Sequence, residues 1–259
     1  MSNLLRCLAI LAAVVLAALL LTPTSHASAS PLPQNGSPEN ALLEAANHSR
    51  AAAGLLALQW DAALAAAARE HAVRMVQQNT LSHQFPGEMP LQDRAKQTGA
   101  RFSLIAENVA EGPSVLGLHT QWMNSAPHRA NLLDHELNAV GIAVVQSGNM
   151  FFAVEDFSAA VPMLDLDAQE RQVGSQLAAH GLRLLSSSDV ARKTCEMDRG
   201  WAGQRPVNVI RYETSDLSRL PADIEQRVQG GIYRSAAVGA CEANGSAGFT
   251  RYRIAILLY

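Results

Sequence analysis

The segment 102–133 has the sequence FSLIAENVAEGPSVLGLHTQWMNSAPHRANLL, in which apolar runs alternate with short polar breaks. The apolar run 102–106 predicts a short extended segment, so Glu107 is expected at the end of a strand. Val115, Leu118 and Trp122 recur at helical spacing, which predicts a helix over 114–123. A strand, a polar break and a helix in this order are typical of a mixed α and β fold.

Pro127 restarts a helical turn, which places His128 close to a helix N-terminus. The positive end of a helix disfavours an imidazolium, so we expect the pKa of His128 to be lowered and a ring nitrogen to stay free. Upstream, His83 follows a helix predicted from Asp61 to about Asn79. Two imidazoles and the Glu107 carboxylate can hold a divalent cation, share a proton or orient a polar ligand.

The flanking sequence supplies further elements on both sides of this segment. The pattern predicts helices over 37–53 and 91–98, and a hairpin of 139–145 and 151–157 at the centre of a sheet. Downstream, it predicts a helix over 167–180, a strand over 207–212, a short helix after Pro221 and a closing hairpin. That hairpin has arms 232–240 and 249–258, with Asn244-Gly245 as its turn.

Composition limits the function classes. The chain has 259 residues, 48% of them hydrophobic and 17% charged, which is enough for one full core and a smaller second domain. Its net charge is −3, and Lys and Arg are scattered along the chain. A nucleic acid is therefore not an expected partner, because binding to phosphates requires a concentrated basic surface.

The N-terminus resembles an export signal. An apolar run from Cys7 to Leu21 is followed by Ala27-Ser28-Ala29, so residues 1–29 are predicted to be a cleaved signal peptide and 30–37 a linker. A retained anchor is the alternative, but the run is shorter than the ~20 residues that a spanning helix needs. We therefore expect a secreted or periplasmic protein with no stable membrane span. In an exported chain, the remaining Cys195 and Cys241 predict one disulfide.

Seven motifs, taken together in order and spacing, resemble the bacterial branch of the CAP superfamily, the SCP-like extracellular domain related to cysteine-rich secretory proteins, antigen 5 and pathogenesis-related proteins. The motifs are Asn47-His48-Ser49-Arg50-Ala51, Trp60-Asp61, Leu81-Ser82-His83, Asp93-Arg94-Ala95, Glu107-Asn108-Val109-Ala110, the run from Trp122 to Leu133, and Val140-Gly141-Ile142-Ala143. The resemblance implies an α+β fold, with a CAP-type α-β-α sandwich and a wide cleft over 38–160. Residues 161–259 then form a small α+β accessory domain of unknown function.

The resemblance also implies a ligand set. In the family, the cleft holds two histidines and two acids that can take a divalent cation such as zinc. His83 and His128 match the histidines and Glu107 matches one acid, whereas Ser125 stands where the second acid is expected. Two imidazoles and one carboxylate still suffice for an open zinc site with three protein ligands.

These residues leave three functions open. The first is a secreted, non-catalytic module whose cleft binds a small molecule, a lipid, a cell-envelope ligand or a divalent metal. The alternative is a metal-assisted hydrolase in which His83 and His128 hold the cation and Glu107 is the general base. The third is an interaction protein whose C-terminal domain binds a partner. A serine hydrolase is disfavoured because no Gly-x-Ser-x-Gly motif surrounds Ser82 or Ser125.

The remaining polar and aromatic side chains near the candidate site are assigned structural or solvent-exposed positions. His71 and Trp122 are expected in the core, His119 and His135 on the surface, and Asn108, Arg129 and Asn131 in hydrogen bonds that fix turns.

Overall fold

The structure, a computed structural model, describes residues 36–186, 188–243 and 249–259. The predicted signal peptide, nearly all of the predicted linker and the predicted Asn244-Gly245 turn lie outside the described residues. The first nine elements are α1 (Pro38–Ala52), β1 (Gln59–Trp60), α2 (Ala62–Gln78), α3 (Leu91–Gln97), β2 (Phe102–Gly112), α4 (Val115–Asn124), α5 (Ala126–Leu132), β3 (Ala139–Ser147) and β4 (Met150–Ala160). We call these elements the first unit.

The first unit is an α-β-α sandwich, which confirms the predicted fold. Its four-stranded sheet has the order β1-β3-β4-β2, with β1 parallel to β3 and the other pairs antiparallel. One face packs on α2 through a core that includes Met75, Val109 and Val154. The opposite face packs on α1 and α4 through a core that includes Leu42 and Trp122. The predicted hairpin forms the sheet centre as β3 and β4.

Local signals fix the helices that cover the sheet. Ser37 accepts a hydrogen bond from the backbone N–H of Asn40, and Asp61 accepts two from the first turn of α2, so both helices begin where their caps predict. Gly141 in β3 lies against α2: a Cβ at this position would come within 2.0 Å of the backbone nitrogen of Ala65. Glycine is therefore required there for the helix to approach the sheet.

Strand β2 is longer than predicted. The expected strand ended before Glu107, but β2 continues to Gly112 and pairs with β4 along its length, so Glu107 lies in mid-strand. The polar side chains of Glu107 and Asn108 do not interrupt the strand, because residues of the covering layers hydrogen-bond both of them.

The remaining elements build a second sheet. They are α6 (Leu166–Ala179), β5 (Arg183–Leu184), α7 (Ser188–Glu196), β6 (Asn208–Thr214), α8 (Ala222–Gln229), β7 (Ser235–Cys241) and β8 (Tyr252–Leu258), here called the second unit. The sheet order is β5-β7-β8-β6. The predicted disulfide joins Cys195 in α7 to Cys241 in β7. Strand β5 and helix α7 are additions to the predicted elements.

Within the described part of the chain, no helix combines the length and the apolar character needed to cross a bilayer.

Candidate functional site

The candidate site lies at β2, an edge strand of the first sheet. Neighbouring residues in a strand point to opposite faces of the sheet, so the side chains of Glu107 and Asn108 face different helical layers. Glu107 contacts His83, in the loop after α2, and Asn108 contacts α5, which carries His128. The two predicted histidines are thus brought to one strand from opposite sides.

Glu107 is held at both carboxylate oxygens. Oε1 accepts a hydrogen bond of 2.8 Å from Nδ1 of His83, and Oε2 accepts a hydrogen bond from Nη2 of Arg94. The side chains of Glu107 and Arg94 are each only 4% exposed, so this is a buried ion pair with charge-assisted geometry. Arg94 was not predicted as a site residue, although it lies in the Asp93-Arg94-Ala95 motif.

His83 is the exposed member of the group, with 59% of its side chain accessible. The hydrogen bond to Glu107 raises the pKa of His83, against an opposing effect of partial burial, and the negative charge of Glu107 adds to the rise. Nδ1–H of His83 donates to Glu107, and this contact stabilises the imidazolium form of His83 relative to a free histidine. In that form Nε2–H is a second donor.

His128 is half-buried near the start of α5, and its ring centroid lies 6.4 Å from that of His83. Burial lowers the pKa of His128, and the positive charge of His83 lowers it further. The pKa of His128 is lowered in the predicted direction, with burial as the largest cause and the His83 charge as the second. The two imidazoles therefore differ in basicity, and His83 is the stronger base.

Asn108 fastens α5 to the strand. Its side chain donates to the backbone carbonyl of His128 at 3.1 Å and accepts from Nδ2 of Asn131 at 3.0 Å. Asn131 also donates to the carbonyl of Glu107 at 3.2 Å. The predicted role of Asn108 in a turn is wrong, because this residue lies within β2 and orients the helix that carries His128.

Two buried acids lie next to the site, on the neighbouring strand β4. In the antiparallel register, Asp156 is opposite Glu107, and Glu155 is opposite Asn108. Both acids are fully buried. Burial raises the pKa of Glu155 to about 8. Burial also raises the pKa of Asp156, and the negative charge of Glu107 acts in the same direction. Glu155 is therefore protonated near neutral pH, and the protonated form of Asp156 is favoured by its surroundings. Neither acid was predicted as part of the site.

The other histidines have structural or surface positions. His71 is fully buried and bonds Glu88 at 2.8 Å and the carbonyl of Ser82 at 2.7 Å, which confirms its core position. His135 is exposed as predicted. The prediction that His119 is exposed is wrong: it is half-buried, bonds Ser49 at 2.9 Å, and burial lowers its pKa.

Arg50, in the motif Asn47-His48-Ser49-Arg50-Ala51, has a structural role. Its buried guanidinium leaves α1 and donates to four backbone carbonyls, those of Leu56, Leu132, Asp134 and Leu137. Two of these acceptors lie at or just beyond the end of α5, and one precedes β3. Arg50, which belongs to α1, therefore fixes the position of the segment that follows His128.

The donor set does not form the predicted three-ligand cation site. Among the described residues there is no group of three or more His, Cys, Asp or Glu side chains that could hold a metal ion. Glu107 is already engaged by Arg94 and His83, and the Ser125 hydroxyl makes no capping hydrogen bond to α5. A cation at this position would depend on His83 and His128 alone.

Comparison with known proteins identifies the first unit. Residues 43–157 match the family model for the cysteine-rich secretory protein family, CAP. The chain is 32% identical over 114 residues to the uncharacterized protein YkwD of Bacillus subtilis, covering 44% of each protein. It is 31% identical over 110 residues to the uncharacterized membrane protein YlbC of the same organism, covering 41% of this chain and 31% of YlbC. The chain thus matches less than half of the length of these curated relatives.

Solved structures resemble about half of the chain. An extracellular protein of Bacillus anthracis with an SCP domain is 28% identical, with a TM-score of 0.44, over 47% of this chain and 40% of that one. An outer surface protein of Borrelia burgdorferi is 20% identical, with a TM-score of 0.46, over 49% of this chain and 96% of that one.

Proposed function

Because residues 43–157 form a domain of the cysteine-rich secretory protein (CAP) family, we propose that this protein is an exported, non-catalytic binding module. Its cleft holds a polar group of a small molecule, a lipid or a cell-envelope glycan between His83 and His128. The observation that carries the proposal is the engagement of both Glu107 oxygens by Arg94 and His83.

The hydrogen bonds to Glu107 favour a binding role for this site over hydrolysis. A general base must lie within hydrogen-bond reach of the water that it activates. Each oxygen of Glu107 already accepts a hydrogen bond, and the side chain is only 4% exposed. Glu107 therefore supports a binding role, in which it fixes the position and charge of His83.

The two imidazoles suit a ligand hydroxyl. His83 donates from Nδ1 to Glu107 and gains a second donor at Nε2 when it is protonated, which its raised pKa favours. A neutral His128 offers one donor and one acceptor nitrogen. A hydroxyl group both donates and accepts, so it can satisfy one donor and one acceptor across the 6.4 Å between the two rings. Sugars and lipid head groups carry such hydroxyls.

Binding is tested by following the His83 and His128 imidazole resonances by NMR. The added probes are an N-acetylglucosamine oligosaccharide or vesicles of phosphatidylglycerol in phosphatidylcholine. We expect one probe to shift both resonances and to lose affinity in the His83→Ala and His128→Ala variants, with Glu111→Gln, an exposed acid of the same strand, as the matched control. If neither probe binds, or if binding is unchanged in both histidine variants, the proposed cleft is refuted.

Catalysis is tested separately with peptide, ester and glycoside substrates, with and without chelator. We expect no turnover above that of the double variant His83→Ala, His128→Ala. Turnover that requires Glu107 and is abolished by chelator would establish the hydrolase instead. Calorimetry with zinc chloride tests the two-histidine cation site, for which we expect weak binding, because protonation of His83 competes with the metal.

Export is part of the proposal and has its own test. The predicted signal at 1–29 implies that the protein recovered outside the cytoplasm begins near residue 30. N-terminal sequencing of the protein from the fractionated host measures this directly, and recovery of the chain in the cytoplasm with residues 1–29 intact would contradict it.

A further inference from the structure

The second unit repeats the topology of the first. Both sheets begin with a two-stranded parallel pair, β1 with β3 and β5 with β7, and both end on an antiparallel edge strand, β2 or β6. In chain order, α6 corresponds to α1 and α7 to α2. Even the ends of the first helices agree, because the N–H of Leu55 bonds the carbonyl of Arg50 and that of Leu182 bonds Leu177 in the same way.

A close helix-to-sheet approach aligns the two units residue by residue. In the first, Gly141 lies against α2; in the second, a Cβ on Gly239 would come within 2.1 Å of the backbone of α7. Gly141 pairs with Asp156, which pairs with Glu107 on the edge strand. Gly239 pairs with Ala255, which pairs with Arg211. Arg211 therefore occupies the position that Glu107 occupies in the first unit.

The charge at this position is inverted, and its neighbours change with it. Glu107 is paired with a buried acid on the neighbouring strand, whereas Arg211 is paired with Ala255. In both units the edge-strand residue contacts the loop that follows the second helix. Glu107 accepts from His83 of that loop, and Arg211 donates to the carbonyl of Gly200 at 2.6 Å.

A cleft of about 600 Å³ lies at this position in the second unit. Its lining includes Gly200, Trp201, Arg205, Pro206, Asn208 and Arg211. The loop that forms one wall is held in place at its start. The disulfide of Cys195 ties the end of α7 to β7, and the hydroxyl of Thr194 accepts from the N–H of Ala202 at 3.0 Å.

Arg211 brings an uncompensated charge to this cleft. Its Nε and Nη2 donate to backbone carbonyls, of Thr194 and Gly200, and no carboxylate lies within 4.0 Å of it among the described residues. The undescribed residues 1–35, 187 and 244–248 contain no Asp or Glu side chain. Asp198 is the nearby acid that acts on Arg211, but it is 98% exposed and lies 3.9 Å from Arg253.

Arg205 and Trp201 complete the chemistry. The guanidinium of Arg205 lies 5.7 Å from the centroid of the Trp201 ring, and 40% of Trp201 is exposed. An exposed indole beside two arginines offers a flat surface to a ring and a positive field to an anion. Arg253, whose side chain is 16% exposed, adds to that field.

We propose that this cleft is a second binding site, which takes a ring compound bearing a carboxylate or a phosphate. The anionic group lies against Arg211 and Arg205, and the ring contacts Trp201. The site is independent of His83 and His128, because it is built entirely from residues of the second unit.

Three probes share one sugar ring and differ in charge: glucose, glucuronate and glucose 6-phosphate. Binding to the full-length protein is followed by tryptophan fluorescence and by calorimetry. We expect glucuronate, glucose 6-phosphate or both to bind, glucose to fail, and affinity to fall as salt is added. Which anion binds more tightly distinguishes a carboxylate from a phosphate ligand.

Variants locate the site. We expect Arg211→Gln to weaken binding of the anion about tenfold or more, as for a charged hydrogen bond that is lost, and Arg205→Gln to weaken it severalfold. Because Arg211 also bonds two carbonyls, Arg211→Lys, which keeps the charge, separates loss of binding from loss of folding; it should retain part of the affinity. Arg219→Gln, at an 88% exposed arginine outside the cleft, is the matched control and should bind as wild type.

The outcomes distinguish this proposal from that for the first unit. His83→Ala should leave anion binding unchanged, and Arg205→Gln should leave probe binding at the first cleft unchanged. Equal binding of glucose and the anions, no binding of either anion at tens of millimolar, or wild-type anion affinity in the Arg205→Gln and Arg211→Gln variants would overturn the second site.

Discussion

Replacing Glu155 by glutamine should remove a large part of the pH dependence of stability. The side chain is fully buried in the sheet centre, where burial raises its pKa to about 8 from an ordinary value of 4.5. Between these two values the native protein holds a proton that the unfolded chain releases. The free energy of unfolding must therefore fall as the pH rises through this window.

The magnitude follows from the difference in pKa. A difference of about 3.5 units, at 1.36 kcal/mol each, corresponds to a total of about 5 kcal/mol across the whole window. Between pH 5 and pH 8, where the unfolded carboxyl is mostly ionised at the start, Glu155 alone contributes a loss of about 3.5 kcal/mol. The amide introduced by Glu155→Gln does not titrate, and it still offers an oxygen to Asn108, which lies 3.5 Å from the carboxyl in the wild type.

Urea unfolding followed by far-UV circular dichroism at several pH values between 5 and 8.5 measures this difference. The stability of Glu155→Gln relative to wild type should improve by about 4 kcal/mol from the lowest to the highest pH. Asp156 titrates in the same direction, so the variant retains some slope, and the comparison with wild type is the quantity that decides. Glu111→Gln is the control, because Glu111 is exposed on β2. A constant difference between Glu155→Gln and wild type at all pH values would refute the reasoning.

Three further predictions concern the first unit. Arg50→Met should lower the free energy of unfolding by about 3–5 kcal/mol, because four backbone carbonyls lose their donor; a loss below about 1 kcal/mol in urea unfolding would contradict this. Gly141→Ala should prevent native packing, since its Cβ would lie 2.0 Å from the nitrogen of Ala65; a wild-type melting temperature would show that α2 can move away. NMR titration should give His83 a pKa above 6.5, and this pKa should fall in the Glu107→Gln variant. The stability that the His83–Glu107 pair adds should be lost as the pH rises through the pKa of His83. An unchanged pKa of His83 in the variant would exclude Glu107 as the cause.

The sequence predicted the elements whose signals are local. Ser37 and Asp61 cap their own helices through contacts two or three residues away, so the two helix starts are visible without any tertiary information. The hairpin of β3 and β4 is also local, because its arms are joined by a turn at Gly148, which has a positive φ. The family motifs named His83, Glu107 and His128, and the structure brings these three residues close together.

The chemistry of the site depended on contacts that no local pattern contains. Glu107 was expected at a strand end because a polar pair normally interrupts an apolar run, yet pairing with β4, nearly fifty residues later, carries the strand past it. Arg94 meets Glu107 only because α3 packs beside β2. The acids at 155 and 156 were visible as a break in an apolar strand, but their raised pKa values follow from burial, which the sequence pattern does not report.

The repetition in the second unit was hidden for the same reason. Strand β5 has only two residues, and its role emerges from parallel pairing with β7, fifty residues away. What the two units share is a position in the sheet, adjacent to a glycine that lets a helix approach, and not a sequence motif. At that position the first unit has Glu107 paired with the buried Asp156, and the second unit has Arg211 paired with Ala255. The negative charge of Glu107 favours the protonated form of the buried acid beside it, whereas Ala255 beside Arg211 carries no charge. Under the two proposals, one topology carries two binding sites, and the residue on the edge strand sets the charge of each.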